Sequence, residues 1–188
     1  MEKYKNCIEE FLNLINKYEN EIGSDIFAQN TKTNDDEISA YKKWLSQYCK
    51  HETPDYIHFM KKVNGFCFGP FSFYSLNPDS IVGSDSNFDD STYSNSIYKC
   101  NEIWWQDDTL RHMFQQYVIF ADDDSISIYG IHKDNGKYCR VSVWNEKVLD
   151  EYETFDELAL RALEVSLYSG DSGFDEVYEK IKRKYDIK

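Results

Sequence analysis

Apolar residues at Tyr4, Ile8, Phe11, Leu12, Ile15 and Tyr18 recur at the three- and four-residue spacing of one helix face, and Gly23 closes the run. The chain therefore opens with an amphipathic helix. The polar stretch Asn30-Thr31-Lys32-Thr33-Asn34 reads as a loop. Asp35-Asp36-Glu37 then places negative charge at the positive end of a second helix, whose buried stripe is Ile38, Tyr41, Leu45 and Tyr48. Thr53-Pro54 restarts the pattern, with Thr53 as the cap and Pro54 at the first helical position, where its missing N–H costs nothing. Tyr56, Phe59, Met60 and Val63 form the third stripe, and Asn64-Gly65 ends it with residues that tolerate the left-handed conformation.

Beyond Gly65 the period shortens. Phe66-Cys67-Phe68 and Phe71 to Leu76 read as two aromatic strands around a Gly69-Pro70 turn. Asn77 to Asn95, rich in Ser, Asp and Asn, is a surface excursion, and Ile97 to Gln115 is helical in part. Tyr117 to Ala121 is a compact apolar strand. Ser125 to His132 alternates, and Asn135-Gly136 predicts a type I′ hairpin leading into Tyr138 to Val143. Thr154-Phe155-Asp156-Glu157 is a capping box opening a helix to about Tyr168, and Gly170 to Gly173 separates it from a last helix with Phe174, Val177, Tyr178 and Ile181 inward. Strands follow strands without intervening helices, so the class is α+β with a sheet that is at least partly antiparallel. No repeat or linker divides the chain. We read residues 1–188 as one domain, with 1–34 an N-terminal helix and loop and 171–188 a C-terminal helix.

Composition supports a folded core: 12 Phe, 15 Tyr and 4 Trp are ample for 188 residues, and a domain of this size buries roughly 70% of its unfolded surface. Five widely separated cysteines (Cys7, Cys49, Cys67, Cys100 and Cys139) form no close pair, and read as thiols of a reducing compartment, with Cys67 and Cys139 buried on strands. There is no apolar leader, no stretch near membrane-spanning length and no Asn-x-Ser/Thr site, so the expected location is the cytoplasm.

The net charge is −13, which argues against nucleic acid as a direct ligand because phosphate contacts dominate such affinities. From Val63 to His132, Asp79, Asp85, Asp89, Asp90, Glu102, Asp107, Asp108, Asp122, Asp123 and Asp124 face only Lys99 and Arg111, a local charge of −8. Such a surface keeps a protein soluble, and it also suits a basic partner.

Few of these residues can do chemistry. Asp122-Asp123-Asp124 groups carboxylates, but a calcium loop starting there would place Ile126 fifth, Ser127 sixth and Lys133 twelfth. Starting at Asp85, Asp90 takes the glycine position and Ser96 the final carboxylate position. A solvated acidic turn between two strands accounts better for Asp122 to Asp124. His51 and His58 stand seven apart across Pro54, while His112 and His132 stand alone, so neither metal nor cofactor is expected. Nucleophile-elbow and phosphate-loop motifs are lacking. A cysteine–histidine pair assembled in space, such as Cys67 with His58, is the catalytic alternative left open. Trp104 and Trp105, adjacent on a helix, point about 100° apart, so one can enter the core while the other lies nearer the surface as an interface anchor. The expected partner-binding residues are therefore Asp85, Asp89, Asp90, Trp104, Trp105, Asp107 and Asp108.

Three stretches resemble the SUKH superfamily, which groups bacterial immunity proteins with a yeast cell-wall regulator. Asp36-Glu37-Ile38 through Leu45, followed by Thr53-Pro54-Asp55-Tyr56 to Val63-Asn64-Gly65, is similar to its acidic helix start and its Pro, aromatic, Phe and Asn-Gly pattern. Tyr117 to Asp123 with Tyr129-Gly130 resembles its strand, acidic turn and following strand, and Thr154 to Leu158 its closing helix. Where many members carry a glycine-rich turn, this chain has Asp124-Ser125-Ile126. Asn77 to Gln115 resembles a YrhA-type branch. The resemblance implies helices packed against a largely antiparallel sheet, no catalysis and no cofactor. It also implies the role of an immunity protein, an antitoxin neutralising a cognate polymorphic toxin domain such as a basic nuclease. A regulatory or scaffolding module of the same fold is the alternative.

Overall fold

A computed structural model describes residues 2–22, 26–28, 33–68, 71–79, 96–108, 111–123, 126–168 and 174–188. The chain runs α1 (Glu2–Ile22), β1 (Ile26–Ala28), α2 (Asp35–Tyr48), α3 (Pro54–Met60), β2 (Phe66–Phe68), β3 (Phe71–Phe73), α4 (Ile97–Gln106), α5 (Arg111–Phe114), β4 (Tyr117–Asp123), β5 (Ser127–His132), β6 (Tyr138–Ser142), β7 (Val148–Tyr152), α6 (Phe155–Tyr168) and α7 (Phe174–Lys184). Among the described residues the strands form one sheet in the order β1 to β7, each antiparallel to the next. The α+β class and the antiparallel sheet are thus as the sequence implies.

Helix ends follow their local chemistry. The Asn34 side chain accepts from the Glu37 N–H while the Glu37 carboxylate accepts from the Asn34 N–H, a reciprocal box that fixes the start of α2. Thr53 does not cap α3. Its hydroxyl shares a 2.7 Å hydrogen bond with that of buried Tyr41 instead, tying α2 to the α3 entry. Ile38, Tyr41 and Leu45 are buried, but Tyr48, expected in the same stripe, is 42% exposed because it sits in the last turn.

The core centres on Phe155, the first residue of α6. Its ring meets Tyr56 and Phe59 of α3, Phe73 of β3, Phe120 of β4 and Tyr138 of β6 at centroid distances of 5.1 to 6.5 Å. Edge-on contacts of this kind add to the roughly 2 to 3 kcal/mol that a buried Phe contributes by leaving water. Helices α1, α6 and α7 pack together, with Phe11 against Tyr178 at 4.8 Å.

Two glycines are dictated by close approach. Gly65 adopts φ +83°, and a Cβ there would lie 2.8 Å from the Ser75 Cβ. Beside it, Asn64 accepts from the Leu76 N–H and the Ser75 hydroxyl, so Asn64-Gly65 pins the end of α3 to the segment after β3. Gly130 faces a bulge at Phe120, where the β4–β5 register shifts; a Cβ there would lie 2.5 Å from the Val118 carbonyl oxygen.

Several expectations fail for identifiable reasons. β5 does not alternate: Ser127 to Ile131 are all buried, as in the central strand of a sheet flanked by β4 and β6. The β5–β6 connection is not a type I′ turn. Lys133 to Gly136 make a four-residue loop, closed by His132 N–H to the Lys137 carbonyl and Gly136 N–H to the His132 carbonyl, with positive φ at Gly136 alone. Strands β1 and β7 were not foreseen.

Candidate functional site

Helix α4 is held to the sheet above all by the side chain of Asn101. Strand β3 ends at Phe73, leaving the peptide of Ile119 on β4 without a strand partner on that side. The buried Asn101 amide fills the gap, accepting from the Ile119 N–H and donating to the Ile119 and Ile97 carbonyls at 2.7 to 2.8 Å. It takes the place of one residue of a further strand, and it sets which way α4 faces.

Neither tryptophan of α4 stands free: both are partly buried against the core. The Trp104 indole N–H donates to the Tyr74 hydroxyl at 2.8 Å, which donates in turn to the Asp122 carboxylate, and the ring packs edge-on against Phe114. The Trp105 indole N–H donates to the Tyr117 carbonyl at 3.0 Å. Its ring lies parallel to Trp44 at 6.0 Å and 4.8 Å from Tyr48, and the Lys133 ammonium sits 3.7 Å above its centre. Lys133 also donates to the Gln115 carbonyl. Burial pushes its pKa down to about 8. The indoles thus form the rigid back of a surface whose front is Glu102, Ile103 (66% exposed), half-buried Asp107 and exposed Asp108. Ile103 was not singled out from the sequence, although it is the aliphatic side chain between Glu102 and the Asp107-Asp108 pair. Asp85, Asp89 and Asp90 lie outside the described residues.

The Asp122 cluster is not a solvated turn. Strand β4 runs through Asp123, which is only 3% exposed and accepts from the Ser127 N–H and the Tyr129 hydroxyl, with the Arg140 guanidinium 3.7 Å away. Desolvation raises the Asp123 pKa, against the lowering by these donors. Asp124 lies outside the described residues. Arg140 further donates to the Ser127 hydroxyl and approaches Asp150, so the carboxylate is committed to joining β4, β5 and β6.

The histidines are dispersed. His51 Nε2 lies 3.1 Å from the Asp134 carbonyl, His112 pairs with Glu146 at 2.9 Å, His132 packs edge-on against Tyr117, and His58 is exposed. Among the described residues no group of three His, Cys, Asp or Glu side chains is placed to hold a metal ion. The side chain of Cys67, the suggested partner of His58, lies outside the described residues; Cys7, Cys49, Cys100 and Cys139 are buried. A shallow cleft of about 430 Å³ between α1 and α7 is lined by Leu14 and Val177 with Glu10, Lys17, Lys180 and Lys184 at its sides, and gathers no nucleophile–base pair.

One exposed aromatic was missed. Trp144 is 80% exposed at the tip of the β6–β7 hairpin, near Ile126, Val148 and Leu149, which are 43 to 53% exposed. A signal was present: Lys133-Asp134-Asn135-Gly136-Lys137 and Val143-Trp144-Asn145-Glu146-Lys147 share an Asn two residues before Lys, and in each the Asn side chain accepts from the Lys N–H. The repeated loop marks Trp144 as a tip residue.

Among the described residues, no helix is long and apolar enough to cross a membrane. The family SUKH_6, described as SMI1-KNR4 cell-wall, matches residues 53–158, from the entry of α3 to the first turn of α6. No match is found among curated proteins.

Proposed function

The chain belongs to the SUKH_6 family, and from that premise we propose that it is a non-catalytic, cytoplasmic immunity protein of bacteria that binds and neutralises a basic toxin domain. The observation carrying this reading is the construction of α4 inside the family-matched region. Asn101 and the two indoles spend all their polar groups on holding the helix, while its outer face presents Glu102 and the exposed aliphatic Ile103, one turn beyond Lys99, with Asp107 and Asp108 at its C-terminal end. A rigid acidic surface with an apolar centre suits recognition, since preorganised side chains lose little entropy on binding. The docking face in this reading is Glu102, Ile103, Asp107 and Asp108, backed by Trp104 and Trp105, together with Asp85, Asp89 and Asp90.

The test is association with the toxin encoded next to this gene. Neutralising Asp85, Asp89, Asp90, Asp107 and Asp108 together should slow association and flatten its salt dependence, because charge acts mainly by steering. Ile103→Ala should instead speed dissociation, and it leaves the internal bonds of the tryptophans intact. A wild-type association rate for the neutralised variant in low salt would sink this face. The cell-wall wording of the family description favours a second reading, a regulatory or scaffolding module of the same fold; absence of a toxin gene beside this one would favour it.

A further inference from the structure

We propose that the free edge of β7, with Trp144 at its head, is a strand-addition site for an extended segment of another protein that alternates basic and apolar residues. The proposal is independent of the toxin reading and concerns a different surface from α4.

Among the described residues β7 pairs with β6 alone. Ser142 donates to the Lys147 carbonyl, so the alternation of an antiparallel ladder turns the peptide groups of Val148, opposite Val141, away from β6. An extra residue at Leu149 shifts the phase, and Glu151, opposite Cys139, faces outward in the same way. Two sets of backbone donors and acceptors are therefore offered to an incoming strand. The side chains beside them are apolar and uncovered: Val148 and Leu149 are 43 to 44% exposed, and Trp144 is 80% exposed. An indole so placed offers on the order of 200 Å² of contact.

Charge selects the occupant. Along β7 and its flank, Asp150, Glu151 and Glu153 stand against Lys147. Pairing with a second copy about a two-fold axis through these outward groups sets Val148 against Glu151 and Leu149 against Asp150, so each apolar side chain would face a carboxylate rather than a partner it packs with. An acidic edge thus resists self-association, as natural edges do, and stays open to a strand of opposite charge. Lys137 and Arg140 already pair with Glu153 and Asp150, while Glu151 is exposed to solvent.

The experiment uses the whole chain, labelled with ¹⁵N, and a synthetic seven-residue peptide alternating lysine with valine; a second peptide carries glutamate in place of lysine. Binding of the lysine peptide should shift the Val148 and Glu151 amides and the Trp144 indole, and protect the two amides from exchange, while the glutamate peptide has no effect. Glu151→Pro removes an outward N–H without touching the β6 ladder and should weaken binding at least about tenfold, whereas Glu151→Gln weakens it about two- to threefold. Should Glu151→Pro fail to fold, Val148→Lys puts like charge on the edge and must also weaken binding. Shifts confined to α4, equal effects of Glu151→Pro and Glu151→Gln, or amide protection that rises with protein concentration without peptide would each overturn the proposal.

Discussion

Replacing Asp156 by Asn should stabilise the protein at neutral pH and leave its stability near pH 4 unchanged. Asp156 is a buried carboxyl in the first turn of α6, and its Oδ2 lacks a hydrogen-bond partner. Burial, reinforced by the nearby Asp55 and opposed by Lys5, pushes its pKa up to about 6. A carboxyl raised in the native state favours folding while protonated. That contribution is fully present below the ordinary value near 4 and is lost as pH rises through about 6. A rise of about two units corresponds to about 3 kcal/mol. The helix N-terminus favours a negative charge there by about 0.3 to 1 kcal/mol, an attraction already contained in the net shift. The gain for Asp156→Asn at pH 7.5 should therefore be about 2 to 3 kcal/mol, or a rise of roughly 5 to 10 °C in Tm for a chain of this length. Urea titrations of both proteins at pH 4, 5, 6 and 7.5 read the difference directly, and other carboxyls cancel in the comparison. A gain that does not change with pH, or a variant less stable than wild type at pH 7.5, would refute the burial argument.

Gly130→Ala should cost at least about 3 kcal/mol, because the new Cβ meets backbone atoms of Val118 and Ile119 that cannot move without breaking the β4–β5 register; a melting curve near wild type would place the bulge elsewhere. Glu146, at φ 57° in the β6–β7 loop, holds the position that Gly136 holds in the preceding loop. Glu146→Gly should thus stabilise by up to about 1 kcal/mol in chemical denaturation, less whatever the exposed His112 pair contributes. Burial pushes the thiols of Cys7 and Cys139 up to about 11, so both should resist a thiol reagent at pH 7.5 until denaturant is added; mass spectrometry finding either labelled within the first minutes of native exposure would contradict the packing of α1 and β6.

Helical periodicity carried most of the fold because each stripe needs only its own sequence: Ile38, Tyr41 and Leu45 announce α2 whatever they pack against. What stayed hidden depends on partners far along the chain. β1 has three residues, and its strand character rests on pairing with β2 some forty positions away. β7 reads Val-Leu-Asp-Glu-Tyr, without alternation, because an extra residue breaks its phase. Asp123 looks like part of a solvated acidic run until Tyr129 and Arg140 arrive from the next two strands.

The tryptophans carry the same lesson into the search for a binding surface. Acidic neighbours made Trp104 and Trp105 look like anchors, yet exposure follows from what covers the element, and α4 is pressed onto β4 by Asn101. Trp144 has no acidic residue directly beside it and stands exposed in the loop of a hairpin. Neighbouring charge therefore says which partner a surface would attract, and topology says which aromatic can reach it. In an antiparallel meander the last strand and its hairpin are the places where topology leaves both side chains and backbone uncovered. The two proposals therefore divide the surface: the carboxylates around α4 would set the speed of an encounter with a basic toxin and Ile103 its lifetime, while Trp144 and the β7 edge would hold a strand-like partner.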